Sequence, residues 1–155
     1  MRDKGHPLPE VGWAKRLALN VMPPLQACVS GEIAATAVIP IGVSRFRGAV
    51  KNVWISVGGG GKDDSNPLSV AADVRLNGTT ILSTQPAIAH VSGEASIQKT
   101  TGVLGDAGIT QAVLDYSNYV FEIGDVFECT FVLTRTASPS VEMANPCVIV
   151  ELEPR

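Results

Sequence analysis

The fold is indicated by residues 46–83, which read FRGAVKNVWISVGGGGKDDSNPLSVAADVRLNGTTILS. Asn77-Gly78 stands between two segments rich in β-formers. A type I′ turn needs positive φ at both central residues, and Asn and Gly tolerate this best. The stretch therefore predicts strands over 46–57, 68–76 and 79–83, with a tight hairpin between the second and the third.

The strand predicted over 68–76 alternates in the way expected when one sheet face meets a core and the other meets water. Its apolar side chains, Val70, Ala72, Val74 and Leu76, alternate with Ala71, Asp73 and Arg75. Further strand-like segments, separated by Gly, Pro and Asn, cover 32–41, 109–116, 119–123, 126–136 and 147–152. This pattern predicts an all-β protein, an antiparallel jelly-roll-like β-sandwich of about eight strands without a long helix.

Composition supports a sheet protein and limits its partners. The chain has 155 residues, 45% hydrophobic but only 5% aromatic, so aliphatic and mostly β-branched residues must fill its core. Charged residues make up 17%, below the usual ~25%. Two explanations stay open: another subunit covers part of the surface, or Ser, Thr and Asn replace charges there.

The charge, hydropathy and cysteine content of the chain argue against several classes of protein. The net charge is −3 without a Lys/Arg run, which predicts no nucleic-acid binding. We expect no membrane association and no secretory leader, because no long apolar run occurs. The cysteines Cys28, Cys129 and Cys147 are odd in number and lack metal-ligand spacing, which predicts reduced thiols in a protein made in the cytosol.

The segment 1–32 differs from the rest and is predicted to be an N-terminal arm, ahead of a β-sandwich domain over 33–155. Residues 1–30 contain four basic and two acidic residues, a net +2, so the remaining chain carries −5. Four prolines interrupt the arm, yet it is too apolar for a free solvated tail. It is expected to dock on its own domain or on another subunit. Its candidate partner-binding residues are Trp13, Lys15, Arg16, Leu17, Leu19 and Met22.

No catalytic set is recognisable, so the protein is predicted not to be an enzyme and to hold no cofactor or metal. Only two histidines occur, His6 and His90, and His90 is expected at a surface or interface. Acidic candidates sit at alternating strand positions, where charges usually face water: Asp73, Asp115, Glu122 and Glu128.

Two further features have competing interpretations. The loop Gly58–Asn66, with Pro67 after it, is read as a solvated, flexible connection, with a weak calcium site as the alternative. Trp54 is expected to pack in the core or on the sheet, with a sugar-stacking platform as the alternative.

Three stretches together resemble a protein family: FRGAVKNVWISVG (46–58), ADVRLNGTTIL (72–82) and FEIGDVFECT (121–130). They are similar to small virion structural proteins of tailed bacteriophages, β-sandwich proteins with an Asn-Gly hairpin and a later Gly-Asp turn. The likeness covers 46–153, and each motif is also ordinary turn chemistry.

The resemblance implies a capsid cement, or decoration, protein that stabilises the head by binding the lattice of the major capsid protein. We expect a homotrimer on the capsid surface of the virion, anchored through residues 1–32. The alternative is a receptor- or glycan-binding module of a phage fibre or spike, using Trp54 or the tyrosines Tyr116 and Tyr119.

Overall fold

The computed structural model describes residues 23–135 and 139–155. Within these residues the chain forms thirteen antiparallel strands and no helix, which confirms the all-β antiparallel class. The strands are β1 Leu25–Cys28, β2 Ala37–Val43, β3 Gly48–Val57, β4 Leu68–Leu76, β5 Thr79–Thr80, β6 Leu82–Thr84, β7 Ala87–Ala89, β8 Lys99–Thr100, β9 Ile109–Thr110, β10 Val113–Leu114, β11 Val120–Phe121, β12 Val126–Arg135 and β13 Cys147–Pro154.

Two sheets enclose one core. The first sheet has the strand order β1-β13-β3-β11, with β8 also paired to β3. The second has the order β2-β12-β4-β7-β9, with β5 paired to β4, and β10 pairs with β6 separately. Fully buried side chains from both sheets meet in the core, among them Val53 and Val150 from the first and Val70 and Phe131 from the second.

The hairpin that the sequence predicts is present. Strand β4 covers Leu68–Leu76, as predicted, and Asn77 and Gly78 adopt φ values of 50° and 82°. The third predicted strand is interrupted at Ile81, because Thr79 and Thr80 pair with β4 whereas Leu82–Thr84 pair with a different strand, β10. The segment 79–84 is therefore split into β5 and β6.

Irregular strand pairing makes β3 and β2 differ from the predicted strands. Strict alternation along β3 would place Val50 on the face opposite Val53, but both are buried in the core, because Lys51 is an extra residue between register-paired positions, as in a bulge. Strand β2 begins at Ala37 rather than residue 32, and it continues past the predicted end at residue 41 to Val43. Pairing of Val43 with Val126 of β12 extends the strand there.

The prediction of three reduced thiols is wrong. Cys28 and Cys147 are register partners on β1 and β13, and they form a disulfide. The bond lies on the outer face of the first sheet, since the neighbouring Val148 points into the core. Cys129 is the free, buried cysteine of the described residues, and burial raises the pKa of its thiol to about 12.

The glycine-rich loop is packed rather than a solvated, flexible connection. Gly60 and Gly61 are buried, and Gly61 adopts a φ of 66°. A Cβ at Gly61 would lie 2.8 Å from Leu68 Cδ2 and 2.9 Å from Met143 Cγ, so a larger residue does not fit. Lys62 exchanges backbone hydrogen bonds with Val141 in both directions. Glycine therefore serves here for close approach and left-handed geometry.

Part of the predicted arm falls within the described residues. The segment 23–32 contains β1, which pairs with β13 of the same chain and carries the disulfide cysteine Cys28. This portion is therefore attached to its own domain. Residues 1–22 lie outside the described residues.

Candidate interaction surface

The two sheets leave a cleft at one side, between their edge strands β1 and β2. These strands lie next to each other without pairing, because β1 belongs to the first sheet and β2 to the second. The cleft has a volume of about 330 Å³ and opens where the described chain begins, at Pro23. Its lining comprises Pro23, Pro24, Leu25, Gly42, Val43, Ser44, Arg45, Phe46 and Leu152.

Exposed aliphatic side chains continue from this cleft. Val43 and Val126 are register partners and are 54% and 45% exposed. The Gly124 N–H donates to the Ser44 carbonyl at 2.9 Å, which brings Ile123, 71% exposed, to the same side. We call the cleft together with Val43, Ile123 and Val126 the edge surface. Isolated exposed aliphatics are common, but a group of them beside a cleft is a candidate for an interaction site.

A hydrogen-bond network holds the turn that presents the edge surface. The Asn77 amide donates to Asp125 Oδ1 at 2.8 Å and accepts from the Val126 N–H at 2.9 Å. Asp125 Oδ2 accepts from the Glu122 N–H at 2.7 Å. The backbone bond from Glu122, followed by the bond from Asn77, lowers the pKa of Asp125. The Asn-Gly hairpin and the Gly-Asp turn are thus in direct contact.

Aromatic side chains connect the cleft to the core. Phe46, at the cleft, lies edge-to-face against Phe121 at a centroid distance of 5.5 Å. Phe121 makes a similar contact with Phe127 at 5.4 Å. Both Phe121 and Phe127 are buried, so these aromatic contacts link Phe46 in the cleft to the hydrophobic core.

The tyrosines considered for binding lie near the C-terminus. Tyr116 is 75% exposed and packs edge-to-face on Tyr119 at 5.2 Å. The Arg155 guanidinium lies 5.2 Å from the Tyr119 ring centroid and donates to its hydroxyl at 2.7 Å. Tyr119 therefore makes its contacts within the chain, whereas most of the Tyr116 ring is accessible to a ligand.

A second concavity, of about 450 Å³, lies beside β3 and β8. Trp54 is half-buried on the outer face of β3, two residues before the groove residue Ser56. Lys99 directs its ammonium inward: it donates to the Ala107 carbonyl at 2.7 Å and pairs with Glu94. The remaining lining is uncharged: Ser56, Val57, Gly58, Gln98, Thr100, Asn145 and Cys147.

Two predictions about charged residues are corrected. Asp73 does not face water: its carboxylate is buried, accepting from Arg75 Nε at 2.7 Å and the Thr80 hydroxyl at 2.6 Å. His90 is not on the surface, since its side chain is only 9% exposed. Its ring contacts the glycine-rich loop, through the Gly61 carbonyl and Asp64. Sequence reasoning missed this contact because 26 residues separate His90 from Asp64.

Residues 23–135 and 139–155 contain no cluster of three or more His, Cys, Asp or Glu side chains suited to a metal ion. In the same part of the chain, no helix is long and apolar enough to cross a membrane. The six arm residues predicted to bind a partner, Trp13, Lys15, Arg16, Leu17, Leu19 and Met22, lie outside the described residues.

No family model matches this chain, and comparisons with curated proteins and with solved structures give no match.

Proposed function

We propose that the protein is a capsid cement protein: a jelly-roll-like sandwich, with about eight principal strands, that binds the lattice of a major capsid protein at the virion surface. The observation that supports this most directly is the edge surface. It combines exposed Val43, Ile123 and Val126 with a cleft, on a turn held by hydrogen bonds. A passive stabilising protein needs such a rigid, apolar contact area and no reaction centre.

The position of the edge surface also suits an anchoring arm. The described chain starts at Pro23, within the lining of the cleft, so the predicted arm joins the domain at this surface. Trp13, Leu17, Leu19 and Met22 would extend the apolar contact onto the capsid protein or a neighbouring subunit of a homotrimer. Lys15 and Arg16 would supply charge at its rim. Burial contributes about 25 cal/mol per Å² before the cost of association.

The proposal predicts that a charge in the edge surface prevents capsid binding. An Ile123→Asp/Val43→Asp variant should bind capsids assembled from the cognate major capsid protein at least about 30-fold more weakly, because it places carboxylates in an apolar contact. Co-sedimentation measures this. Val38→Asp is the matched control, since Val38 is also exposed, at 65%, on β2 but does not line the cleft.

Deletion of residues 1–22 tests the arm separately and should leave a folded domain that no longer sediments with capsids. Equal binding by the wild type and the edge variant would exclude the edge surface as the contact. Failure of the wild-type protein to bind capsids would overturn the cement function itself.

The groove beside Trp54 favours a second candidate, a glycan- or receptor-binding module. The concavity is lined by uncharged hydrogen-bonding groups, among them Ser56, Gln98 and Thr100, and Trp54 lies two residues before Ser56 on the same strand; an aromatic ring near such groups suits a neutral sugar. A glycan array should then give hits that Trp54→Ala abolishes and Tyr116→Ala leaves intact. An array without hits for the wild type would count against this function.

A further inference from the structure

His90 connects β7 to the glycine-rich loop through both nitrogens of its ring. Nδ1 lies 2.9 Å from the Gly61 carbonyl oxygen, and Nε2 lies 3.2 Å from Asp64 Oδ1. The ring is held in place, since the side chain is 9% exposed and the backbone N–H of His90 donates to the Leu68 carbonyl at 2.8 Å. Both ring nitrogens therefore face oxygen atoms that accept hydrogen bonds.

The number of protons on the ring decides whether both contacts are favourable. A neutral imidazole has one N–H, so in either tautomer its other nitrogen presents a lone pair to an oxygen. An imidazolium has two N–H groups and satisfies both the Gly61 carbonyl and the Asp64 carboxylate. We propose that His90 is a proton-dependent clamp on the loop 58–67, closed when the imidazole is protonated and weakened when it is neutral.

The charges around the ring agree with this proposal. Asp64 is the charged group that contacts His90, and its other oxygen lies 3.5 Å from Lys62 Nζ. The hydrogen bond from His90, more than Lys62, lowers the pKa of Asp64, so the carboxylate stays ionised. Other charged groups of the packed segments are engaged elsewhere: Glu94 with Lys99, Glu142 with Arg135, and Asp63 with the backbone N–H groups of Ser65 and Asn66.

Backbone hydrogen bonds fix the first part of the loop independently of His90. The Gly58 and Gly59 N–H groups donate to the Ala144 carbonyl, the Gly61 N–H donates to the Ala95 carbonyl at 3.1 Å, and the Lys62 N–H donates to the Val141 carbonyl at 2.7 Å. Beyond these bonds, the Asp64 carboxylate is held by His90 and Lys62. Only the doubly protonated ring can donate to both oxygens, so the clamp weakens as rising pH removes the second proton.

Hydrogen exchange tests the clamp in the full-length protein. After correction for intrinsic rates, protection of the Gly61 and Lys62 amides should be about threefold to fivefold greater at pH 5.5 than at pH 8, the scale of a partly exposed ion pair. Asp64→Asn should remove this difference, because an amide can turn to donate to a neutral imidazole or accept from a charged one. His6→Gln replaces the other histidine and should keep the difference.

Ring ¹⁵N shifts provide a second measurement, and His6→Gln makes the His90 signals unambiguous. Protection of the Gly61 and Lys62 amides should rise and fall with the doubly protonated fraction of the ring that these shifts report. Protection of Gly61 and Lys62 that does not change with pH would overturn the proposal. A difference that persists in full in Asp64→Asn would do so too, because it would arise from another group.

Discussion

Reduction of the Cys28–Cys147 disulfide should lower the free energy of unfolding by about 5 kcal/mol, because the bond closes a very long loop. The two cysteines are 119 residues apart, so the crosslink removes much conformational freedom from the unfolded chain. A typical domain has a total of only about 5–15 kcal/mol. The bond also ties β1, an edge strand, to β13. Urea unfolding with and without a reductant measures the difference.

Cysteine variants separate the bond from other effects of the reductant. Cys28→Ser/Cys147→Ser should unfold like the reduced wild type and show no response to reductant. Cys129→Ala removes the buried free thiol, and its unfolding midpoint should still fall when the protein is reduced. An unchanged wild-type midpoint under reducing conditions would show that the bond does not stabilise the fold.

Phe121→Ala should destabilise the protein by about 3–5 kcal/mol, the usual cost of removing a buried aromatic ring. Phe121 is 1% exposed and contacts both Phe46 and Phe127, so the variant leaves a cavity and loses two aromatic contacts. Each such contact contributes about 0.5–1.5 kcal/mol beyond burial. Chemical denaturation measures the loss of stability.

The effect of Phe121→Ala should extend to the edge surface, since Phe46 packs on Phe121 and lines the cleft. Binding through the edge surface should therefore weaken even where the variant remains folded. Leu104→Ala is the control, because Leu104 is 81% exposed and its loss should change stability by less than about 0.5 kcal/mol. A Phe121→Ala variant as stable as this control would contradict the proposed packing.

Local chemistry explains why the hairpin was predictable. The bounds of β4 and the Asn77-Gly78 turn depend on alternation and on the φ values that two adjacent residues tolerate. Strands β12 and β13 follow the same rule, and both start at the predicted residues, Val126 and Cys147. The bounds of short strands such as β8 and β9 were not predictable, because a two-residue pairing leaves no periodic signal of its own.

The candidate sites were less predictable, since each depends on contacts between distant parts of the chain. The edge surface combines residues near 23, 43 and 123, and nothing local indicates that they meet. Trp54 was singled out from the sequence, but the nearby groove is lined by distant residues such as Gln98 and Asn145. Asp125 was read only as a turn residue, although its carboxylate holds Asn77 in place.

The sequence by itself determined the all-β class, the central hairpin and the apolar faces of the long strands, because φ preferences and side-chain alternation act within a few residues. Only the tertiary structure decided the Cys28–Cys147 bond, the burial of Asp73 and the contacts of His90 with the glycine-rich loop. Each of these depends on which strands become neighbours. That choice follows from how the two sheets bury their apolar faces together, and no single segment of the chain encodes it.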